Sequence, residues 1–449
     1  MVLRSPAPDL EELQHKLGSD SRRFVELIMS PPLDDSRYWH WDQLRHRSPP
    51  EGLTHEEWWL KLKLQRSAQR REVPLEAKDG RPFFFVMSDE VLQLSEEIAR
   101  RAGGNVLGGG NALTSAGRDG FIVRSLVEES ITSSQLEGAS TSRRAAVEMI
   151  DTGREPVDVS ELMILNNYLA MKQVSARSDD PLTPDWVLEL HADLTAGTLE
   201  DPGQAGRLER PEEERVRVWH GEHLVHTPPP AGQLPERLVR LCAFANGAVS
   251  SAPYIPPVVR ATITHFMFGY DHYFADGNGR TARLAFYWSM LHNGYWLAEY
   301  LAISKILKEA PGQYGDSYEY SEDDDGDLTY FILHQLRVIV RALDELDAYI
   351  EMRRSEADRV RGALRGASVD FNARQTSVIE WLSREGVVAV TANEISRRYG
   401  VTLPTARADL MRLEDVGLLE RGSSKKPIVW KPVAGLSKRI ADLGTPKEN

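Results

Sequence analysis

The segment that most constrains the fold is residues 272–283, which read His-Tyr-Phe-Ala-Asp-Gly-Asn-Gly-Arg-Thr-Ala-Arg. Apolar residues recur at helical spacing in residues 258–268 before it, and residues 284–291 after it are also largely apolar. Both flanks are therefore predicted to form helices. The segment is predicted to lie on a tight connection between two largely buried helices, with its glycines at the N-terminus of the second helix.

This connection has the groups that bind a polyphosphate. The first turn of a helix leaves its N–H groups unpaired, and the helix dipole places about half a positive charge there. Gly277, Asn278 and Gly279 let successive amides face an anion without a Cβ in the way. Arg280 and Arg283 are three residues apart, so they share one helix face and can donate charge-assisted hydrogen bonds to phosphate oxygens.

Two further side chains add chemistry to this segment. Asp276 supplies the hard oxygen that Mg²⁺ prefers, with phosphate oxygens and water completing the shell. The His272 imidazole can accept a proton near neutral pH, because the ordinary pKa of histidine is about 6.5. A Gly-Asn-Gly turn or a lone histidine is usually structural, but the whole string together indicates phosphoryl-type transfer.

The segment resembles the signature of the Fic family, His-x-Phe-x-Asp/Glu-Gly-Asn-Gly-Arg-x-x-Arg, at every defined position. Tyr273 stands where the family commonly has proline, a position that stiffens the loop and carries no chemistry. The resemblance implies a mainly α fold, with a Fic-type helical core and a β-hairpin flap. It also implies transfer of AMP from ATP to a Ser, Thr or Tyr hydroxyl of a target protein, or of the chain itself.

The resemblance assigns roles to the residues of the segment. It makes His272 the catalytic base, Asp276 the ligand of the cofactor Mg²⁺ and Phe274 a buried anchor of the loop. The residues that would bind the nucleotide are Gly277, Asn278, Gly279, Arg280 and Arg283. Relatives that use other nucleotides or phosphocholine remain an alternative.

A second motif precedes the core. Residues 119–138 are predicted to form a helix that contains Ser133 and ends in Glu137 and Gly138. This pattern resembles the Ser/Thr-x-x-x-Glu-Gly/Asn inhibitory motif of autoinhibited Fic proteins, although any helix with Gly138 as its C-cap would match. If Glu137 reaches Arg283, it occupies the guanidinium that otherwise holds the γ-phosphate. In some relatives this glutamate instead positions a water that removes AMP, so de-AMPylation stays open.

Residues 214–226 are predicted to form a β-hairpin, because part of the stretch alternates and a glycine lies at its centre. In Fic proteins the hairpin at this place is the flap, whose edge pairs with an extended segment of the target. The stretch also has three histidines, but their spacing is irregular and no cysteine accompanies them. A zinc site is therefore not favoured.

The length of 449 residues leaves room for two or three domains. We predict an N-terminal helical region with a Gly-rich linker (1–110), a Fic domain with closing helices (111–365) and a C-terminal domain (366–449). No apolar run approaches 18 residues, and the single cysteine, Cys242, excludes an intramolecular disulfide. These features predict a cytoplasmic protein that does not associate with a membrane.

The C-terminal domain resembles a winged helix-turn-helix, with three predicted helices and a hairpin that has a basic tip. Residues 371–449 carry 13 Lys and Arg against 9 Asp and Glu, whereas the whole chain has a net charge of −13. DNA binding would use Thr405, Arg407, Arg412, Lys425 and Lys426. Asp409, Glu414 and Asp415 are predicted to dilute this positive face. The alternatives are therefore a nucleotide-sensing DNA-binding regulator, or a domain for protein interaction or homodimerisation.

Residues 321–327, Ser-Glu-Asp-Asp-Asp-Gly-Asp, form the most acidic stretch of the chain. The stretch lacks the alternating ligands and the terminal glutamate of a calcium-binding loop. It is predicted to be a solvated acidic turn that caps the following helix.

Overall fold

A computed structural model of the chain describes residues 6–18, 21–33, 37–103, 115–220, 222–248, 253–365, 369–383, 389–425 and 428–443. The chain divides into two compact units, residues 1–346 and residues 347–449. Within the described ranges, no helix combines the length and the apolar character that crossing a membrane requires. Most of the predicted Gly-rich linker lies outside the described residues.

The first unit is mainly helical, as predicted. Its helices are α1 (Leu10–Gly18), α2 (Ser21–Met29), α3 (Trp41–Leu44), α4 (His55–Ser67), α5 (Asp89–Ala102), α6 (Ser115–Leu136), α7 (Arg143–Thr152), α8 (Val159–Ala176), α9 (Pro184–Thr195), α10 (Leu234–Ala245), α11 (Pro257–Asp271), α12 (Asn278–His292), α13 (Ile303–Glu309) and α14 (Pro311–Asp323). The long helix α15 (Thr329–Arg365) begins in this unit, and the limit between the two units falls inside it. Short 3₁₀ turns occur at Pro202–Gln204, Ala231–Gln233 and Trp296–Tyr300.

Two antiparallel hairpins accompany these helices. Strands β1 (Arg70–Glu76) and β2 (Pro82–Val86) form the first hairpin, and β3 (Val218–His220) and β4 (His223–His226) form the second. The second hairpin lies within the predicted flap, residues 214–226, but its strands are shorter than that range. The name flap is kept for the whole of residues 214–226.

Local signals in the sequence explain where several helices begin. The Ser88 hydroxyl accepts a hydrogen bond from the Val91 N–H at the start of α5. The Thr183 hydroxyl accepts one from the Trp186 N–H, with Pro184 in the first turn of α9. Both caps satisfy N–H groups that the first helical turn leaves unpaired, and Ser and Thr are among the residues preferred at this position.

Helices α11 and α12 lie at the centre of the first unit. Twelve of the fifteen residues in each helix are buried, so both helices are surrounded on nearly every side. α11 ends where His272 adopts a left-handed backbone with φ 49°, and α12 begins after Gly277, which has φ 81°. The predicted functional segment therefore lies on the turn between two buried helices.

The acidic stretch 321–327 is not the solvated turn that the sequence predicted. Asp324 and Asp327 are only 2% and 1% exposed. Lys63 Nζ lies 2.6 Å from Asp324 Oδ1, and the Tyr38 hydroxyl donates to Asp327 Oδ2 at 2.5 Å. The prediction failed because the partners of these carboxylates come from a part of the chain more than 250 residues earlier.

The second unit contains α16 (Ala373–Leu382), α17 (Ala392–Tyr399), α18 (Leu403–Asp415) and α19 (Leu436–Leu443). A three-stranded antiparallel sheet is made by β5 (Val390–Thr391), β6 (Leu419–Lys425) and β7 (Ile428–Pro432), in the order β5-β7-β6. Val378, Leu410 and Trp430 are among the buried residues of its own hydrophobic core. This order of elements is compatible with the predicted winged helix-turn-helix.

The carboxylates of α18 that were predicted to dilute the positive face have different settings. Asp409 is only 3% exposed and accepts hydrogen bonds from Arg374 Nε at 2.5 Å and Gln375 Nε2 at 3.0 Å. Glu414 accepts from Arg421 Nε and Trp430 Nε1. The prediction that Asp409 dilutes an exposed positive face is therefore wrong, because its charge is neutralised inside the unit. Asp415 is exposed, as predicted.

Candidate active site

His272 has the geometry of a neutral base. Its Nδ1 lies 3.0 Å from the Gly269 carbonyl oxygen. Because a carbonyl only accepts hydrogen bonds, Nδ1 carries the proton and Nε2 keeps its lone pair. Burial lowers the pKa of His272 to about 4, so the ring is uncharged at neutral pH. The ring can therefore accept a proton at Nε2.

The loop after His272 is fixed by buried contacts. Phe274 is fully buried, and its ring stacks on the His191 ring with centroids 3.7 Å apart. The side-chain amide of Asn278 accepts from the Phe274 N–H at 3.0 Å and donates to the Phe274 carbonyl at 2.6 Å. The Asn278 side chain thus holds the loop itself and leaves the helix N–H groups to face a ligand.

His191 is a positioning residue whose role could not be seen in the sequence. Its Nε2–H donates to the Asp276 carbonyl at 2.9 Å, and its Nδ1 accepts from the Gly206 N–H at 3.0 Å. Burial lowers the pKa of His191 to about 4, so this neutral tautomer persists. A histidine in an apolar stripe indicates a buried polar contact, but the sequence does not tell which backbone groups it reaches.

The N-terminus of α12 has the character of an anion site. Within the described part of the chain, no side chain caps this helix start. Arg280 is fully buried, and its Nε and Nη1 have no hydrogen-bond partner among the described residues. Its Nη2 lies 3.4 Å from Asp276 Oδ2. A buried guanidinium with unused donors is costly unless a ligand completes it, and phosphate oxygens suit this need.

Asp276 suits a magnesium ion that phosphates help to bind. Its side chain is 56% exposed, and its Oδ1 accepts from the Gly277 N–H at 2.6 Å. No group of three or more His, Cys, Asp or Glu side chains that could hold a metal occurs among the described residues. Mg²⁺ is commonly held by one or two carboxylates together with substrate phosphates and water, so a single exposed carboxylate fits this ion.

Glu137 contacts Arg283 directly. Glu137 follows the last residue of α6, and its Oε1 lies 2.7 Å from Arg283 Nη2. Arg283 also donates to the Ser133 hydroxyl at 2.7 Å and to the Ser133 carbonyl at 2.9 Å. Burial alone would lower the pKa of the Arg283 guanidinium, but the Glu137 carboxylate holds it above its ordinary value. The structure therefore brings together residues that are about 150 positions apart in the sequence.

The small size of Gly279 makes room for this ion pair. A Cβ at position 279 would run into Glu137 Oε1 and would lie 3.1 Å from Arg283 Nη1. Gly138, in the turn that follows Glu137, has φ 95°, which favours glycine. Glycine at both positions allows the Glu137 carboxylate to lie against the first turn of α12.

Comparisons with known proteins match the region of the chain that contains this turn. Residues 181–290 match the model of the Fic/DOC family. The protein adenylyltransferase Fic of Nematostella vectensis is 28% identical over 209 residues, which are 45% of this chain and 43% of that protein. The protein adenylyltransferase Fic of Drosophila willistoni is 33% identical over 134 residues, which are 29% of this chain and 24% of that protein. The chain thus spans less than half the length of these curated relatives.

A solved structure also resembles the chain. The crystal structure of a Fic family protein from Desulfovibrio desulfuricans G20 has a TM-score of 0.52 and 20% sequence identity. The similarity covers 78% of this chain and 98% of that structure, and at this identity it concerns the fold alone. The family match covers α11, the turn after it and all but the last two residues of α12, so the chain contains a Fic domain of the Fic/DOC family.

Proposed function

We propose that the chain is a protein adenylyltransferase that moves AMP from ATP to a Ser, Thr or Tyr hydroxyl of a target protein. The observation that carries this proposal is the pairing of two features on one turn. His272 is a neutral base with Nε2 available, and the buried Arg280 at the adjacent helix N-terminus has two donors without partners among the described residues. A base beside a phosphate-binding site suits transfer from a nucleotide to a hydroxyl.

In this reaction His272 Nε2 accepts the proton of the target hydroxyl. The hydroxyl oxygen forms a bond to the α-phosphorus of ATP, the bond from that phosphorus to the bridging oxygen breaks, and pyrophosphate leaves. The amides at the start of α12 and the Arg280 guanidinium stabilise the negative charge on the phosphates. Arg283 holds the γ-phosphate when Glu137 does not occupy it.

Asp276 is the residue that would hold Mg²⁺ in this site. When bound with the nucleotide, the ion supplies positive charge next to the phosphates. The hydrogen bond from the Gly277 N–H orients the Asp276 carboxylate through Oδ1, and that from His191 fixes the backbone carbonyl of the same residue. These contacts support the assignment of Asp276 as the metal ligand.

We also propose that Glu137 inhibits the transfer in the resting chain. Its carboxylate occupies Arg283 and places negative charge at the start of α12, where the γ-phosphate would bind. Arg283 is only 6% exposed, whereas the Glu137 side chain is 27% exposed. Leaving a buried charge without its partner costs roughly 3–5 kcal/mol of stability. Because Arg283 is buried, its pairing with Glu137 is favoured in the absence of a phosphate.

The test is incubation of the purified chain with α-labelled ATP, Mg²⁺ and cell lysate. The chains compared are wild type, Glu137→Gly, the double variant Glu137→Gly/His272→Ala, and Glu128→Gly, a control on the helix that ends just before Glu137. Label on protein from Glu137→Gly alone would support both the transferase and its inhibitor. Equal labelling by wild type and Glu137→Gly would overturn the inhibition, and no labelling by any variant would overturn the transferase.

Removal of AMP from a modified protein is the alternative reaction of the same site. In that reaction Glu137 positions the attacking water, so its substitution must abolish the activity rather than release it. AMP-modified protein should then lose its label with wild type but not with Glu137→Gly. The opposite result would exclude this alternative.

A second candidate function, DNA binding by the second unit, rests on the observed surface of α18. Arg407 and Arg412 are exposed, while Asp409 is paired inside the unit. Thr405 is partly buried, and its hydroxyl lies 2.8 Å from that of Thr402 in the helix cap. Lys426 and the side chain of Lys425 lie outside what the structure describes, so their roles stay predictions.

A gel-shift titration with double-stranded DNA tests this second function. Arg407→Ala and Arg412→Ala should weaken binding, and the affinity of the unaltered chain should fall as salt rises. Lys438→Ala, an exposed charge on α19, is the matched control. Binding that neither arginine changes would exclude α18 as the DNA contact.

A further inference from the structure

The C-terminal end of α11 has carbonyl groups that the helix itself cannot satisfy, because the last turn lacks following N–H groups. Three of them accept hydrogen bonds from side chains. The Gly269 carbonyl accepts from His272 Nδ1, the Tyr270 carbonyl from His226 Nε2 at 2.7 Å, and the Asp271 carbonyl from Arg215 Nη2 at 2.5 Å. The side chain of the base and a side chain from each end of the flap therefore all donate to the last carbonyls of α11.

Arg215 lies just before β3, at the first end of the flap. Its side chain is 14% exposed. Its Nε donates to the Pro229 carbonyl at 2.8 Å, and its Nη1 is paired with the buried Glu209 carboxylate. The Glu209 N–H in turn donates to the Tyr273 carbonyl at 3.0 Å. This end of the flap is thus linked to the loop on both sides of His272.

His226 is the last residue of β4, at the second end of the flap. Its side chain is 7% exposed, and its Nδ1 lies 2.7 Å from Glu322 Oε2. Because the Tyr270 carbonyl only accepts, His226 Nε2 carries a proton and donates to it. The Glu322 carboxylate holds the other side of the ring, so the orientation of His226 is fixed by two contacts.

We propose that Arg215 and His226 are positioning residues that fix the flap relative to His272 Nε2. This inference rests on the proposed transferase function and on the expectation, implied by the family resemblance, that the flap presents the target hydroxyl to the base. Positively charged groups are favoured at a helix C-terminus, which suits arginine at this place. Loss of either contact removes no side chain of the base or of the phosphate site, but it lets the flap, and with it the hydroxyl, move away from Nε2.

The experiment uses Glu137→Gly as the parent chain, with α-labelled ATP and the lysate protein that the parent labels most strongly. Arg215→Ala and His226→Ala should lower kcat by about tenfold to a hundredfold, since a displacement of about 1 Å can cost a hundredfold in rate. The KM for ATP should stay within about twofold. His226→Gln keeps an N–H donor and should recover most of the rate. His292→Ala removes a histidine that also contacts a carbonyl, that of Ser178, and is the matched control.

Hydrogen–deuterium exchange of residues 214–226 supplies a readout that does not depend on transfer. It should become faster in Arg215→Ala and His226→Ala but not in His292→Ala. Unchanged kcat, or a loss of ATP affinity that equals the loss of kcat, would overturn the positioning role. If the parent transfers no AMP, the proposed function fails, and the exchange rates alone then test whether Arg215 and His226 hold the flap. Unchanged exchange overturns this role, and faster exchange supports it.

Discussion

His272 combines a strained backbone with a defined tautomer. A positive φ at a residue other than glycine is uncommon and costs on the order of 1–3 kcal/mol. Here the left-handed conformation at the end of α11 accompanies the bond from Nδ1 to the Gly269 carbonyl. The contact with the Gly269 carbonyl fixes the tautomer, and the lone pair of Nε2 is a consequence of that tautomer.

The protonation state of His272 predicts the pH dependence of transfer. Burial lowers its pKa to about 4, and the proposed role as a base requires the neutral form. In the Glu137→Gly chain, kcat/KM for ATP should therefore stay constant above about pH 5 and fall as the pH drops through about 4. Removing Glu137 only strengthens this trend, because that carboxylate raises the pKa of His272. A decline that begins near pH 6.5 would show that His272 titrates like an exposed histidine.

Tyr273 does more than the sequence indicated. Its side chain is fully buried, and its hydroxyl donates to Asp271 Oδ2 at 2.6 Å. Asp271 is also paired with Arg237 at 2.7 Å. Proline would stiffen this position through its ring, whereas tyrosine ties the loop to a buried ion pair. That this position carries no chemistry stays a prediction, and the contacts of Tyr273 give the loop a different source of stiffness from the ring of proline.

Gly279 should couple energetically to Glu137. In wild type, the Cβ of Gly279→Ala would force Glu137 away from Arg283, and such overpacking costs about 1–3 kcal/mol. In the Glu137→Gly chain this obstacle is absent, and alanine is favoured over glycine within a helix by about 0.5–1 kcal/mol. Urea unfolding of the four chains forms a double-mutant cycle. If Gly279→Ala lowers the free energy of unfolding equally in wild type and in Glu137→Gly, then Gly279 and Glu137 are not in contact.

At the scale of elements, the turn between α11 and α12 depends on the Asn278 amide, which both accepts from and donates to the Phe274 backbone. Asn278→Ala leaves two buried backbone groups without partners and should lower the free energy of unfolding, at about 1–3 kcal/mol for each unsatisfied group. Asn278→Asp keeps the acceptor but loses the donor, so its effect should be smaller. Equal stability of all three chains in urea unfolding would show that the amide does not hold the turn.

Elements with local signals could be predicted from the sequence, whereas contacts between distant elements could not. The caps at Ser88 and Thr183 and the turn at Gly277 follow from short-range rules of helix termini. The hydrogen bonds of His191 could not be predicted in this way, because its partners are backbone groups at positions 206 and 276. A single sequence does not show which residues far apart in the chain lie close together in the fold. The Glu137 contact with Arg283 was anticipated only through the resemblance to a known motif.

At the scale of the whole molecule, the acidic stretch 321–327 joins parts of the first unit. Asp324 binds Lys63 of α4, Asp325 binds Arg81 between β1 and β2, and Glu322 binds His226 of the flap. Successive carboxylates thus reach three different parts of the chain. A run of like charges ordinarily lies on a solvated surface. Here the carboxylates can lie close together because each one is paired with a different positively charged or donor group.

This arrangement predicts a large difference between two similar ion pairs of the first unit. Lys63 and Asp324 are 9% and 3% exposed in their side chains, whereas Lys16 and Glu56 are 63% and 38% exposed at nearly the same N–O distance. Asp324→Ala leaves a buried ammonium without its partner and should cost about 3–5 kcal/mol of unfolding free energy. Glu56→Ala, the matched control, should cost about 0–1 kcal/mol, because water replaces the lost contact. Urea unfolding measures both. Similar costs for the two variants would show that the acidic stretch is hydrated after all and does not join the parts of the unit.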